Sequence, residues 1–333
     1  MALQETTTPA GAEQAPVTAE AIERAAADLH AHLSLTPLQY SRAFTAKAGC
    51  HVYLKVEGIQ PTRAFKVRGG LNKLMGLRPE DRAAGVITAS AGNHGLGVAY
   101  AAQAFRIPAT VYVPDGANQL KVQAIKRMGS RVVQFGRSYD DAYREALRAQ
   151  ETSGSIFVHA FDDPAVVIGQ GTVAVELLDQ QPAIDTVLVP VGGGGLIAGI
   201  ARYLKTRRPS VRVIGVEPAG ADALTRSLAA GELVTLDRVD TMADGLAAKT
   251  PGRIALSIAS ACVDQMITVE DTEMLRAIRL YFEWEHLLAE PAGAAALAAL
   301  LYHYAPEASE RVVVLLSGAN IADEVMLRAL KSR

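Results

Sequence analysis

From Val86 onward, short apolar runs alternate with longer segments whose apolar positions recur every three or four residues. Val86 to Ala89 leads into a helical segment ending near Phe105, and Val111 to Val113 precedes one from about Asn118 to Met128. Arg131 to Phe135 precedes another over about Ser138 to Thr152. A second series begins at Ile156 to His159 and continues with Thr186 to Val191, Val211 to Val216, Met266 to Val269 and Arg311 to Leu316. Runs rich in Val, Ile and Leu predict strands covered on both faces, and their alternation with helices predicts parallel pairing. The fold class expected is α/β, in two parallel-sheet lobes. Upstream, Thr18 is placed to cap a helix with apolar face Ile22, Ala25, Ala26 and Leu29, and Thr36-Pro37 forces an extended exit.

The 333 residues, half of them hydrophobic and 28 of them glycine, suffice for two lobes with buried cores. Lysine and arginine total 33 against 35 acids, a net charge of −2. That balance gives no basic field for nucleic acid and no polybasic face for a membrane, so small neutral or anionic ligands are the expected partners. Cys50 and Cys262 are too few for a disulfide framework and lack metal-ligand spacing, which predicts two reduced packing residues in a cytoplasmic protein. The apolar tract Pro291 to Tyr302 is too short to span a bilayer. Residues 1–17 carry neither a basic nor an apolar block, so they read as a disordered tail and not as a targeting segment.

Ligands of parallel sheets bind where strand ends lead into helix N-termini, and three such loops stand out. Ser90-Ala91-Gly92-Asn93-His94-Gly95 follows the strand ending at Ala89, and its glycines let N–H groups converge on an anion. Gly192-Gly193-Gly194-Gly195 opens a helical segment over Leu196 to Leu204, the arrangement of a phosphate cradle. Ser317-Gly318-Ala319-Asn320 follows the last strand, where the hydroxyl could meet a ring nitrogen or cap the last helix, the cap being the favoured reading. Separately, Lys66 lies between Phe65 and Val67 and ahead of Arg68. Partial desolvation and a neighbouring cation both favour a neutral amine, the form that condenses with an aldehyde. A second reading of the glycines exists: Gly193, Gly195 and Ala198 fit a dinucleotide fingerprint, with Glu217 about where a ribose-binding acid is expected. A nicotinamide oxidoreductase would leave Lys66 and the Asn93 loop without work.

The combination of Gln60-Pro61-Thr62, Phe65-Lys66-Val67-Arg68-Gly69, Ser90 to His94, Gly192 to Gly195 and Ser317 to Asn320 resembles the serine/threonine dehydratases. These are pyridoxal-phosphate enzymes of fold type II, shared with tryptophan synthase β subunits. Phe161-Asp162-Asp163-Pro164, Gly169-Gln170-Gly171-Thr172, Ala243-Asp244-Gly245 and Glu290-Pro291-Ala292-Gly293-Ala294 extend the match. The resemblance implies a large cofactor-binding domain over residues 18–54 and 156–333, a small domain over 55–155, and a homo-oligomer, dimer or tetramer. Lys66 would hold pyridoxal phosphate as an internal aldimine and then act as the base at the substrate Cα. Phe65 would pack near the ring, Asn93 would bond its phenolic oxygen, Gly192 to Gly195 would hold the phosphate, and Ser317 would face the pyridine nitrogen. Ser90, Ala91, Gly92, Asn93 and His94 would take the substrate carboxylate, with Gly245 and Glu290 lining the site. The implied reaction is loss of the β-hydroxyl from an amino acid such as threonine or serine, through an aminoacrylate, to a 2-oxo acid and ammonia.

Departures from the pattern sharpen these expectations. Ala64 stands where family members commonly carry serine, with Arg63 before it, which points to a non-standard substrate such as 3-hydroxyaspartate or a hydroxyectoine-derived amino acid. Serine racemases resemble the chain closely but use a serine as opposite-face acid/base where this chain has Ala91, so racemisation is the weaker expectation. Metal-binding relatives pair a glutamate with an aspartate six residues later; Glu217 matches, Ala223 does not, and no divalent ion is expected. The chain ends soon after Asn320, so no feedback by isoleucine is expected.

Overall fold

The computed structural model describes residues 16–332. The disordered tail expected over residues 1–17 therefore lies, apart from Pro16 and Val17, outside the described residues. Among the described residues, ten strands form two sheets. In chain order they are β1 (Leu38–Tyr40), β2 (His51–Val56), β3 (Val86–Ala89), β4 (Ala109–Val113), β5 (Arg131–Gln134), β6 (Ile156–Phe157), β7 (Thr186–Pro190), β8 (Arg212–Pro218), β9 (Gln265–Val269) and β10 (Arg311–Leu316). The larger sheet runs β1-β2-β10-β7-β8-β9 and the smaller β5-β4-β3-β6. All pairs are parallel except β1 with β2. The two-lobed α/β expectation holds.

The apolar runs do what covered strands require. Along β10, Val312, Val314 and Leu316 enter one core cluster while Val313 and Leu315 enter the cluster on the opposite face. The period-two alternation of a strand thus buries every side chain because helices lie on both faces. One face holds the Ala-rich helix Pro291–Tyr302, whose residues 291 to 300 are all buried, and the other holds the helices Pro164–Gln180 and Gly195–Arg207. No helix of the described residues is long and apolar enough to cross a membrane. Cys50 and Cys262 are buried and free. Thr18 caps the first helix, Ala19–Leu29, accepting a hydrogen bond from Ala21 N; Ala26 stays partly exposed while Ile22, Ala25 and Leu29 are buried.

Two placements differ from the sequence pattern. Ile156–Phe157 does not open the larger sheet: Ile156 N bonds Gly85 O, Val158 N bonds Ile87 O, and the strand extends the smaller sheet beside β3. Lys55 and Val56, placed at the start of the small domain, belong to β2, which lies between β1 and β10 in the larger sheet.

Register aligns the strand ends that carry the informative loops. Val56 pairs with Leu316, and Leu188 with Val314, so β2, β10 and β7 stop at one level and release residues 57, 317 and 191 on the same edge.

Candidate active site

Lys66 is the first residue of the helix Lys66–Met75, and the segment before it is tied to the loop after β10. Ala64 forms an antiparallel bridge with Gly318, Phe65 N donates to Ser317 O at 3.0 Å, and Ala319 N donates to Arg63 O at 2.8 Å. Two distant motifs thereby become neighbours. A single cleft is lined by Phe65, Lys66, Asn93, Gly192 to Gly195, Gly245, Glu290 and Ser317, together with Phe161 and Leu246. Every residue expected to touch the cofactor faces this cleft.

The Lys66 amine donates to Ala160 O at 2.9 Å and sits 5.2 Å from the Phe65 ring centre. Burial lowers its pKa to about 8. Arg68 plays no part in that shift, contrary to the sequence expectation. Its guanidinium turns away and is neutralised by Glu57, with bonds of 2.8 Å to both carboxylate oxygens, and by Glu176 at 2.7 Å. With a pKa of about 8, roughly one amine in ten is neutral at pH 7, against about one in 2500 for an ordinary lysine. The rate at which cofactor-free protein captures an aldehyde at Lys66 should accordingly rise through pH 8 and level off above it, read by stopped-flow absorbance. A rise that continues unabated to pH 10 would assign the amine an ordinary pKa.

The glycine run is sterically obligatory. Gly194 has φ +87° and is the N-cap of the helix Gly195–Arg207, with no side chain capping it. A Cβ at Gly193 would overlap the Phe161 ring, and one at Gly194 would overlap Ala255. Open N–H groups at a helix N-terminus, with no side chain competing, suit an anion.

The Ser90 to His94 loop divides. Asn93, the first residue of the helix Asn93–Phe105, lines the cleft; its Nδ2 donates to Glu290 Oε1 at 2.5 Å. His94 is buried and its Nε2 donates to Val158 O at 3.0 Å, with burial lowering its pKa to about 3, so the ring is neutral, and it does not line the cleft. Ser90, Ala91 and Gly92 are partly exposed, and Ser90 Oγ accepts from Gly92 N at 3.2 Å. Ser317 does not cap the last helix, Asp323–Lys331, whose N-cap is Ala322; its hydroxyl lines the cleft and donates to Ala292 O at 3.4 Å. Burial raises the Glu290 pKa. Phe161, visible in the sequence only within Phe161-Asp162-Asp163-Pro164, packs against the glycine run.

The dinucleotide reading fails at Glu217. Its carboxylate accepts from Leu224 N at 2.9 Å, Thr225 N at 2.8 Å and the Thr225 hydroxyl at 2.6 Å, closing the N-terminus of the helix Ala223–Ala230. Glu217 is also fully buried, which keeps it from a ribose.

Residues 30–318 match the family described as pyridoxal-phosphate dependent enzymes. The chain belongs to that family. It is 45% identical over 251 residues to an L-threonine ammonia-lyase of Geobacter sulfurreducens, a match covering 75% of this chain and 62% of that protein. An L-threonine ammonia-lyase of Thermotoga maritima is 41% identical over 250 residues, with the same coverages of 75% and 62%. The chain thus spans less than two thirds of the length of these curated relatives. Among solved structures, maize serine racemase matches with TM-score 0.89 and 34% identity over 94% of this chain and 96% of that one. Threonine deaminase isoform 2 of Solanum lycopersicum matches with TM-score 0.88 and 34% identity, covering 95% of each. The family's cofactor suits this cleft: a desolvated amine for its aldehyde, a side-chain-free helix N-terminus for its phosphate, and the Phe65 and Phe161 rings beside both.

Proposed function

We propose that the chain is an ammonia-lyase that removes the β-hydroxyl from a small amino acid such as threonine or serine and releases a 2-oxo acid and ammonia. The observation that carries this reading is the buried Lys66 amine, held with an uncapped glycine turn and a neutral hydroxyl, Ser317, in one cleft. Lys66 would hold the cofactor and afterwards take the Cα proton on Nζ. Gly192 to Gly195 would bind phosphate through backbone N–H groups, and Asn93 would donate to the phenolic oxygen. Phe65, Gly245 and Glu290 would wall the site. When bound, the cofactor supplies an electron sink for the bond broken at Cα. Ser90 N is taken by Tyr112 O and Gly92 N by Ser90 Oγ, but the Asn93–Phe105 helix begins without a side-chain cap, so the N–H groups of Ala91, Asn93 and His94 would be left for the substrate carboxylate. Ser317 carries no charge to keep the ring nitrogen protonated, which favours prompt loss of the β-hydroxyl. Loss of water and its return during hydrolysis leave ammonia and the 2-oxo acid, so the balance needs no oxidant.

Elimination fits better than racemisation. Ala91 carries no proton, and His94, the next ionisable residue of the loop, is locked on Val158. The family resemblance also supports a cytoplasmic homo-oligomer. Arg63, exposed and at φ +59°, with Ala64 beside it, is the feature that would favour an acidic or larger substrate. Cofactor-loaded protein should be assayed for ammonia and 2-oxo acid on threonine, serine, 3-hydroxyaspartate, phenylserine and hydroxyectoine-derived amino acids. Cofactor trapped on Lys66 with no ammonia from any of them would overturn the lyase reading and leave a non-catalytic sensor.

A further inference from the structure

Asn320 closes the Ser317 loop and has no role in the mechanism above. Its Nδ2 donates to Thr62 O at 2.8 Å and to Asn93 Oδ1 at 2.7 Å. Asn93 Nδ2 in turn donates to Glu290 Oε1 at 2.5 Å. The two ends of an amide have nearly the same shape, so its orientation is set by what the partners can donate or accept. The Thr62 carbonyl only accepts, which fixes the nitrogen of Asn320 toward it. That nitrogen only donates, so the end of Asn93 that it meets must be the oxygen. The donor end of Asn93 is then left facing Glu290 and the cleft.

Glu290 could not make that choice alone. It stands at the N-cap of the helix Pro291–Tyr302, yet its side chain caps nothing and turns to Asn93. Gly318 makes room for it, since a Cβ there would run into the carboxylate. A buried carboxyl can accept from an amide nitrogen when ionised or donate to an amide oxygen when protonated, and would tolerate either orientation. A backbone carbonyl, which cannot flip, removes the ambiguity two links away.

We propose that Asn320 is a positioning residue that sets the polarity of the Asn93 amide, leaving one Nδ2 hydrogen of Asn93 free for an anionic oxygen of the bound cofactor. This rests on the reading that the cofactor occupies the cleft at Lys66. The decisive variant is Asn320→Asp, similar in size but with an acceptor where the donor stood. The Asn93 amide then turns over and presents its oxygen to the cleft. Asn320→Ala removes the constraint without reversing it.

The measurements are the visible absorption of cofactor-loaded protein from pH 6 to 9, cofactor affinity by equilibrium dialysis, and the residue-66 mass adduct after borohydride reduction. Asn320→Asp should bind cofactor at least tenfold more weakly and change the pH dependence of the spectrum, while still giving the adduct at saturating cofactor. Asn320→Ala should fall between it and the wild type. Because Asn320 acts through Asn93, the double variant Asn93→Ala/Asn320→Asp should match Asn93→Ala alone; additive losses would assign Asn320 a general structural role and overturn the proposal. A wild-type spectrum and affinity in Asn320→Asp, or in Asn320→Ala where the aspartate does not fold, would overturn it too. Wild-type protein that gives no adduct at Lys66 would instead sink the functional reading, and the proposal with it.

Discussion

Lys66→Ala is expected to lower kcat/KM for the preferred β-hydroxy amino acid by at least about 1000-fold, the scale of losing a nucleophile that doubles as a proton-transfer group. Borohydride reduction of the variant mixed with cofactor should leave no adduct at position 66. Folding should survive, because the amine makes a single protein hydrogen bond, to Ala160 O, and its removal leaves no buried partner charge. Lys66→Arg separates charge from chemistry: it keeps a cation in the cleft but cannot condense, and should be as inactive. Adding methylamine to Lys66→Ala should restore activity by about tenfold or more if the missing function is a small neutral base. Turnover within tenfold of wild type in Lys66→Ala would remove Lys66 from the reaction.

How much of the cleft and of the fold is legible in the sequence depends on how locally each feature is encoded. The glycine run and the Lys66 motif advertise themselves because four consecutive glycines and an amine on an apolar patch are locally unfavourable without a ligand. The β10 run Arg311–Leu316 is legible for a related reason, since unbroken aliphatics exclude a water-facing side. By contrast, β2 goes unrecognised because Lys55 interrupts its apolar pattern. That lysine is fully buried and paired with Glu176, 121 residues away, which no local pattern can announce. Glu217 is visible as an acid after a strand, but only the fold shows that Leu224 and Thr225 consume it. Ile156–Phe157 falls in the expected place along the chain and in the wrong sheet, because pairing depends on which neighbour is free.

Arg68→Met is expected to destabilise the protein by about 3–5 kcal/mol, the usual penalty for breaking a buried ion pair and leaving its partner charged. The intact network balances two cations, Lys55 and Arg68, against two carboxylates, Glu57 and Glu176, with Thr36 donating to Glu57 Oε1 at 2.6 Å and Thr172 accepting from Arg68 at 3.1 Å. All four charged residues are buried. Without Arg68, two carboxylates share one ammonium in a dry site. Exposed Arg78, paired with Asp81 at 2.8 Å, is the control: Arg78→Ala should change stability by less than about 0.5 kcal/mol. The pH dependence carries a sign that simple loss of packing would not. In the wild type, burial opposes ionisation of Glu57, yet the charge and hydrogen bonds of Arg68, with Lys55 and the Thr36 hydroxyl, together outweigh it and hold the carboxyl below its ordinary 4.5. Its contribution is therefore complete above pH 4.5 and fades as pH falls through the depressed value. In Arg68→Met, burial is opposed only by Lys55 and the Thr36 hydroxyl, the Glu57 pKa rises, and protonation relieves the variant as pH falls. The gap between wild type and variant, measured by urea unfolding, should narrow from pH 8 to pH 5; a gap constant across that range would mean that lost packing, and not an orphaned charge, is responsible. Because Arg68 lies in the first turn of the helix that begins at Lys66, kcat should fall with stability, and Arg68→Met/Glu57→Met, which removes charge from both sides, should recover part of each.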